Sequence, residues 1–322
     1  MNKYKSCHLL EHGICFYPKN ICSCCYAPYE ADNLVPLIYS KDVYKGGNIE
    51  KDFLYEKINK WRNDAKNSRY IKSCEECYHL KLADWEQENY IDRVYITHFE
   101  QCNSNCIYCI NNLDNGKRKD STYKIVPVID NMIEQGILKE GCDFHIGGGE
   151  FSIYPECGEI IEKYIISGFT KFIAIATNGI VFSDAIFKAM NKGKACIIIS
   201  IDCGSRRLYR KIKRVDAFDH LKTSLKLYTS TQKARENTFL KYIVLPGINV
   251  SKWEFKKFLS LSKKYGISGI KLDIDGRYCR ANNFTPEKKV TDFMKWCIGY
   301  AQKKGFNVET FQFYNLCLKN LS

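Results

Sequence analysis

From Ile91 onward the chain alternates short apolar runs, rich in β-branched residues, with amphipathic stretches, and that rhythm leaves few folds open. Repeated βα units of this kind lay helices against a parallel sheet. The expected strands are Val94 to Phe99, Phe144 to Ile146, Phe172 to Ala176, Cys196 to Ile201, Phe239 to Leu245 and Ile270 to Ile274. Together they predict an α/β fold, a partial (β/α)6 TIM-like barrel. Helices are expected over Val126 to Gln135, Glu156 to Ser167, Ser183 to Asn191, Phe218 to Thr229 and Lys252 to Tyr265, with a last one from Pro286 to about Lys304. Ser251 and Gly266 frame the helix over 252–265 as N-cap and stop. Its Trp253, Phe258, Leu259 and Leu261 are expected to face the core.

Residues 1–90 lack this rhythm and carry seven of the 17 cysteines, so a small cysteine-rich module is expected there, followed by the barrel and a helical extension over 91–322. The boundary falls near Asn89. Met1 to Glu11 is polar and does not read as a secretion signal, and no apolar run reaches membrane-spanning length. A reducing cytoplasm is the expected setting, where clustered cysteines favour metal binding or catalysis over disulfides. The net charge of +13 admits an acidic partner, whether nucleic acid, an anionic surface or a phosphorylated substrate. Basic residues are mostly scattered, with short groups at Lys117 to Lys119 and Arg206 to Arg214, and no nucleic-acid-binding pattern interleaves them with aromatics. Neither a membrane nor a nucleic acid is therefore the expected partner.

Cys102, Cys106 and Cys109, spaced CxxxCxxC, follow the first strand directly, at the end where βα folds bind ligands. Three thiolates can hold three corners of a [4Fe-4S] cube and leave the fourth iron open to a ligand that is not protein. Structural zinc commonly takes four protein ligands in spaced pairs, which a tight triad does not supply. The second strand runs into Gly147, Gly148, Gly149 and Glu150, where glycines let the backbone approach a ligand closely and Glu150 adds a fixed charge.

From Ile91 to about Ile274 these residues resemble the radical S-adenosylmethionine (SAM) superfamily. The resemblance implies that Cys102, Cys106 and Cys109 bind three irons of a [4Fe-4S] cluster while the methionyl amino and carboxylate groups of SAM chelate the fourth. Tyr108 stands where the family often places an aromatic against the adenine; a packed core ring is the other reading. Gly148, Gly149 and Glu150 match the GGE element that holds the methionyl amino group, and Thr177, Asn178 and Gly179 match a TNG turn near the SAM site. Ser200 and Asp202 match an SxD pattern whose side chains contact the ribose, and strand alternation puts residues two apart on one side. Ile212 and Lys213 match a segment with a basic residue near the SAM carboxylate, a role for which Arg210 and Arg214 compete. The implied chemistry is one-electron cleavage of SAM to a 5'-deoxyadenosyl radical, which abstracts hydrogen from a polar substrate, either a peptide or a sugar or other small molecule. A flavodoxin- or ferredoxin-type protein is the implied electron donor.

The amino-terminal stretch resembles a SPASM/twitch module. Cys7 precedes a hairpin-like stretch from Gly13 to Cys25 with a turn at Lys19-Asn20, then come Gly47-Asn48-Ile49, Trp61, and the pair Cys74 and Cys77. That match implies an auxiliary [4Fe-4S] cluster on Cys7, Cys25, Cys74 and Cys77, with Cys24 nearly equivalent to Cys25. The family normally carries this module after the barrel, and here it comes before. A structural zinc site on the same cysteines is the alternative, with His8, His12 or His79 able to replace a thiolate. Asp273, Asp275, Arg277, Tyr278 and Cys279 cluster at the sixth strand's end, as substrate contacts or as ordinary capping and surface charge. Cys203 and Cys279 could donate hydrogen to a substrate radical or simply be packed. Against the enzyme stands a non-catalytic metal-stabilised scaffold or iron-sulfur electron carrier.

Overall fold

Apolar side chains alternate inward along the expected strands, and Ile173, Ile175, Ile197, Ile199, Leu240, Tyr242, Ile270 and Leu272 are all fully buried. Each such side chain contributes about 1.5–3 kcal/mol by leaving water. The structure, a computed structural model, describes residues 4–18, 20–24, 37–39, 47–67, 69, 80–83, 88–109, 123–283, 285–311, 314–315 and 317. It divides into two compact units. One draws on Met1–Gln101, Lys119–Gly149 and Tyr154–Ile173; the other draws on Cys102–Arg118, Glu150–Ile153 and Ala174–Ser322.

In the first unit the chain runs β1 (Tyr4–Ser6), α1 (His8–His12), β2 (Gly13–Phe16), β3 (Ile21–Cys22), β4 (Leu37–Tyr39), α2 (Lys51–Lys66), β5 (Lys81–Ala83), β6 (Ile91–Ile96), α3 (Ile125–Glu134), β7 (Leu138–Ile146) and α4 (Cys157–Ile160). β6 pairs in parallel with β7 on one side and with β2 on the other, so the amino-terminal stretch lends strands to the same sheet as the first barrel strand. β2, β3 and β4 follow one another antiparallel, and Tyr17 N donates to Asn20 O to close the first hairpin. β1 and β5 form a separate antiparallel pair. β7 begins six residues before the expected Phe144, because the polar Lys-Glu-Gly at 139–141 breaks the apolar run while Leu138 still pairs with Ile91 across an irregular register. The expected helix over 156–167 is divided: α4 passes into a π-helical stretch, Ile161–Ile166.

In the second unit come β8 (Phe172–Thr177), α5 (Asp184–Asn191), β9 (Ala195–Ser200), α6 (Arg206–Lys213), α7 (Phe218–Tyr228), α8 (Gln232–Glu236), β10 (Thr238–Val244), α9 (Lys252–Lys264), β11 (Gly269–Ile274), α10 (Gly276–Ala281), α11 (Lys288–Lys303) and β12 (Asn307–Thr310). The strands lie in the order β8, β9, β10, β11, β12, and β9 to β12 pair in parallel. Among the described residues the strands of neither unit close into a ring. The fold is α/β with an open parallel sheet, as expected of a partial barrel. β12 adds a strand beyond the expected six. Its Asn-Val-Glu-Thr sequence carries no apolar run, and its residues alternate between exposed and half-buried.

Ser251 caps α9 by accepting from Glu254 N, and Gly266 takes the left-handed turn expected after the helix. Phe258 and Leu259 are buried, but Trp253 is 60 % exposed, against expectation. It sits in the first turn of α9, where Lys257 Nζ stands 3.4 Å from its ring centre in a cation–π contact.

Candidate active site

The glycine run after β7 meets the chain's own backbone. A Cβ on Gly148 would lie 2.7 Å from Phe99 O, and one on Gly149 only 2.2 Å from Gln101 O. Gly148 also has φ +91, and Gly149 N donates to Phe99 O at 2.8 Å. These glycines let the loop cross directly over the segment that leads into Cys102. Nearby, fully buried His98 donates from Nε2 to Tyr154 Oη, 2.8 Å away, and the Tyr154 hydroxyl donates in turn to Glu156. Glu156 in turn accepts from Ile125 N and Val126 N, the first two amides of α3.

Burial pushes His98 down from 6.5 to about 3, so the ring stays neutral when folded. Below about pH 6.5 the unfolded chain therefore binds a proton that the folded chain refuses, and stability falls with pH, by about 2 kcal/mol at pH 5 from this group. Urea titrations between about pH 4.5 and 7 are expected to show this slope reduced by close to one proton in His98→Phe, which keeps the aromatic packing.

The cysteine loop and its partners belong to the second unit. Cys102, Cys106 and Cys109 are all half-buried, and Ser104 Oγ lies 3.5 Å from Cys102 Sγ and 3.4 Å from Cys106 Sγ. Asn178, in the TNG turn after β8, donates from Nδ2 to Cys102 Sγ at 3.5 Å and to Asn103 Oδ1 at 2.6 Å. The same turn is tied to Glu150, whose buried carboxylate accepts from Thr177 Oγ1 (2.7 Å), Asn178 N (2.6 Å), Ser152 Oγ (2.8 Å) and Ser152 N (3.1 Å). Glu150 thus holds the TNG turn. Asn105 N and Ile107 N donate to Lys213 O and Ile212 O, both at 2.9 Å. The cysteine loop thereby satisfies carbonyls that the end of α6 leaves without helical partners.

Lys213 is the basic residue that turns inward; Arg210 and Arg214 are exposed. Its fully buried Nζ donates to Asp202 Oδ2 at 2.6 Å and to Tyr108 Oη at 2.7 Å, and Tyr108 donates to the same Asp202 oxygen at 2.5 Å. Burial alone would lower the Lys213 pKa, but the adjoining Asp202 carboxylate and Cys106 outweigh it and hold the ammonium charged. Tyr108 is held well above the usual phenol range by burial and the Asp202 charge. Asp202 does not share a strand face with Ser200 as alternation predicts. It lies past the end of β9 with φ 66, and its other oxygen accepts from Ile243 N at 2.8 Å. Asn249 completes this network by donating to Asp202 O and Ile243 O, a part that nothing in the sequence marks. Arg214 also adopts a left-handed conformation, φ 53, to end α6.

At the amino terminus, Cys7 precedes α1 and packs with Trp61 of α2 against Leu10 and Ala65. Gly47-Asn48-Ile49 leads into that tryptophan-bearing helix. Cys24 is half-buried; Cys25, Cys74, Cys77 and His79 lie outside the described residues. Cys203 is buried with its sulfur directed at Ile201 O and Ser205 O, and Cys279 lies sulfur to sulfur with Cys317 at 3.4 Å, so both are packed thiols. Asp273 faces Lys241 at 3.2 Å, and Asp275 caps α10 and pairs with Arg277.

The donor set fits a [4Fe-4S] cluster: three half-buried thiols on one loop, with an amide donor on Cys102 and a hydroxyl between two of the sulfurs. Among the described residues no three His, Cys, Asp or Glu side chains converge on one ion position. A cube takes one thiolate per iron and does not require them to.

The Radical SAM superfamily model matches residues 96–261, more than half of the chain, and the chain belongs to that superfamily. It is an enzyme of the radical SAM class. It is 33% identical over 125 residues to a "Probable GTP 3',8-cyclase" of Methanococcus aeolicus, covering 37% of this chain and 40% of that protein. Over 189 residues it is 26% identical to the GTP 3',8-cyclase of Clostridium botulinum, covering 56% and 54%. The chain thus spans about half the length of the curated relatives it matches. In fold it is similar to Streptococcus suis SuiB. The structure bound to precursor peptide SuiA gives a TM-score of 0.53 at 13% identity, covering 87% of this chain and 60% of that one. The S-adenosylmethionine complex gives 0.53 at 13%, covering 82% and 57%. Among the described residues no helix is long and apolar enough to cross a membrane.

Proposed function

We propose that this enzyme cleaves S-adenosylmethionine reductively and abstracts hydrogen from a polar substrate in a reducing cytoplasm. The observation that carries this reading is the half-buried triad Cys102, Cys106 and Cys109 at the end of β6, bonded through Asn178 to the Glu150 and Thr177 turns. When bound, the cluster supplies one electron to the sulfonium, whose carbon–sulfur bond breaks to give the 5'-deoxyadenosyl radical. The three cysteines hold three irons. Gly148 and Gly149 would present backbone to the methionyl end, and the Glu150 carboxylate holds the Thr177 and Asn178 turn. Tyr108 offers its ring to the adenine while Asp202 and Lys213 hold its hydroxyl. Because the Asp202 carboxylate is occupied, Ser200 is the better placed of the SxD pair to meet the ribose, and Lys213 contributes its charge through Asp202 and Tyr108.

For the substrate, the relatives' names favour a sugar-bearing nucleotide over a peptide, since the SuiB likeness is one of fold. Residues 1–90 would hold an auxiliary [4Fe-4S] cluster on Cys7, Cys25, Cys74 and Cys77, and residues 91–322 the radical chemistry.

The test is anaerobic reconstitution followed by dithionite and SAM. Wild type is expected to form 5'-deoxyadenosine and Cys106→Ala none above background; no product from wild type, or equal product from both, sinks the reading. Triple Cys102/Cys106/Cys109→Ala protein that keeps iron supports the auxiliary site, and zinc or no metal removes it. Deuterium passing into 5'-deoxyadenosine from ribose-labelled GTP, rather than from a labelled peptide, would identify the substrate class.

A further inference from the structure

Four basic side chains, Arg207, Arg210, Lys211 and Arg214, stand exposed on α6 and its C-cap, spaced three and four residues apart so that they share one face. Among the described residues none of the four ion-pairs with a carboxylate. Arg206 does: its guanidinium forks onto Asp216 at 2.9 and 3.1 Å and reaches Asp219 at 2.8 Å. Asp216, which also feels the Arg210 charge, is therefore already gripped, and Asp219 is shared with Lys222. Lys213, on the opposite face, is neutralised by Asp202. Among the described residues the outer face keeps four cations that make no ion pair of their own.

The carboxyl end of the helix that carries this face adjoins the cysteine loop. The Ile212 and Lys213 carbonyls accept the Ile107 and Asn105 amides, so α6 ends beside Cys106, and Asn105 itself is exposed. The thiols are half-buried, so anything they hold lies near the surface of that loop, beside the end of α6. A focused positive patch raises the encounter rate of an acidic protein and does so in a salt-dependent way.

We propose that Arg207, Arg210, Lys211 and Arg214 form the docking surface for an acidic one-electron carrier protein that reduces the cluster. The proposal rests on the radical SAM reading above and names the partner of that site. In the step served, a flavodoxin hydroquinone gives up one electron to become the neutral semiquinone, and the cluster passes from its 2+ to its 1+ state; no bond forms and no proton moves. The cations lose their exposed hydration against carboxylates of the carrier, so the contact weakens as salt screens it, over a Debye length of about 8 Å at physiological ionic strength.

The experiment compares the reconstituted wild-type protein with Arg207→Glu/Arg210→Glu/Lys211→Glu and the milder Arg207→Gln/Lys211→Gln. Titration with oxidised flavodoxin, followed calorimetrically, is expected to show the dissociation constant raised about tenfold or more in the triple variant, by an intermediate factor in the double, with the wild-type salt dependence flattened in both. Stopped-flow reduction of the cluster by flavodoxin hydroquinone should slow by a similar factor, while reduction by dithionite keeps the wild-type rate. Unchanged flavodoxin affinity and rate overturn the proposal. So does an equal slowing with dithionite, or a loss of GTP or oligonucleotide binding with flavodoxin binding intact. Absence of 5'-deoxyadenosine from wild type under dithionite would instead sink the radical SAM reading, because docking is read there by binding alone.

Discussion

Lys213→Met is expected to lower the unfolding free energy by about 3–5 kcal/mol, because it strands a carboxylate in the interior. Asp202 is fully buried and would keep only the Tyr108 hydroxyl and the Ile243 amide against its charge. Urea denaturation of the cluster-free protein near neutral pH measures this directly. Asp202→Asn in the Lys213→Met background removes the stranded charge, and the double variant should recover a large part of the loss; a double variant as unstable as the sum of the two singles would show that the residues do not act as a pair. The loop should loosen as well, since Lys213 Nζ donates to the hydroxyl of Tyr108 within it.

Gly149→Ala should be nearly as damaging. The added methyl would sit 2.2 Å from Gln101 O and 2.8 Å from Glu100 C, backbone atoms that cannot swing aside as a side chain would. A cost of about 3 kcal/mol is expected, at the upper end for overpacking, together with impaired iron uptake, because the displaced segment leads straight into Cys102. The neighbouring Gly147→Ala is the internal control. Its nearest contact would be Thr97 Cγ2 at 3.7 Å, ordinary van der Waals distance, so its melting temperature and iron content should stay close to wild type. Equal effects at the two positions would refute the crossing as the reason for the glycines.

Sequence periodicity found β8 to β11 to within one or two residues because each buries a β-branched run on its pleat. It missed β12, which is short and carries too little apolar contrast, and α6, where basic residues surround the two buried positions Tyr209 and Ile212; β2 came instead from the hairpin-like stretch over 13–25, which pairs with β3 as expected. The choice of Lys213 over its neighbours was nonetheless present in the spacing: it falls four residues after Tyr209 and beside Ile212, on the helix's apolar side. The cysteine triad and the GGE and TNG elements stood out because their residue types and spacing are distinctive, and hydrogen bonds link Cys102, Glu150, Thr177 and Asn178. Ser104, Ser152 and Asn249 could not, since a hydroxyl or amide that only braces another group leaves no pattern. The role of Asp202 was hidden for a different reason. Strand alternation holds only while the chain stays extended, and here it turns left-handed at that residue.

Only three non-glycine residues among those described have positive φ, and two of them, Asp202 and Arg214, bracket the buried lysine. Left-handed backbone costs a non-glycine residue on the order of 1–3 kcal/mol. An engineer seeking thermal robustness would place glycine at both positions and, in doing so, delete the counter-charge of Lys213 at one and an outward cation at the other. Stability and chemistry thus compete for the same two residues, and heat-tolerant versions of this enzyme should be sought anywhere but there.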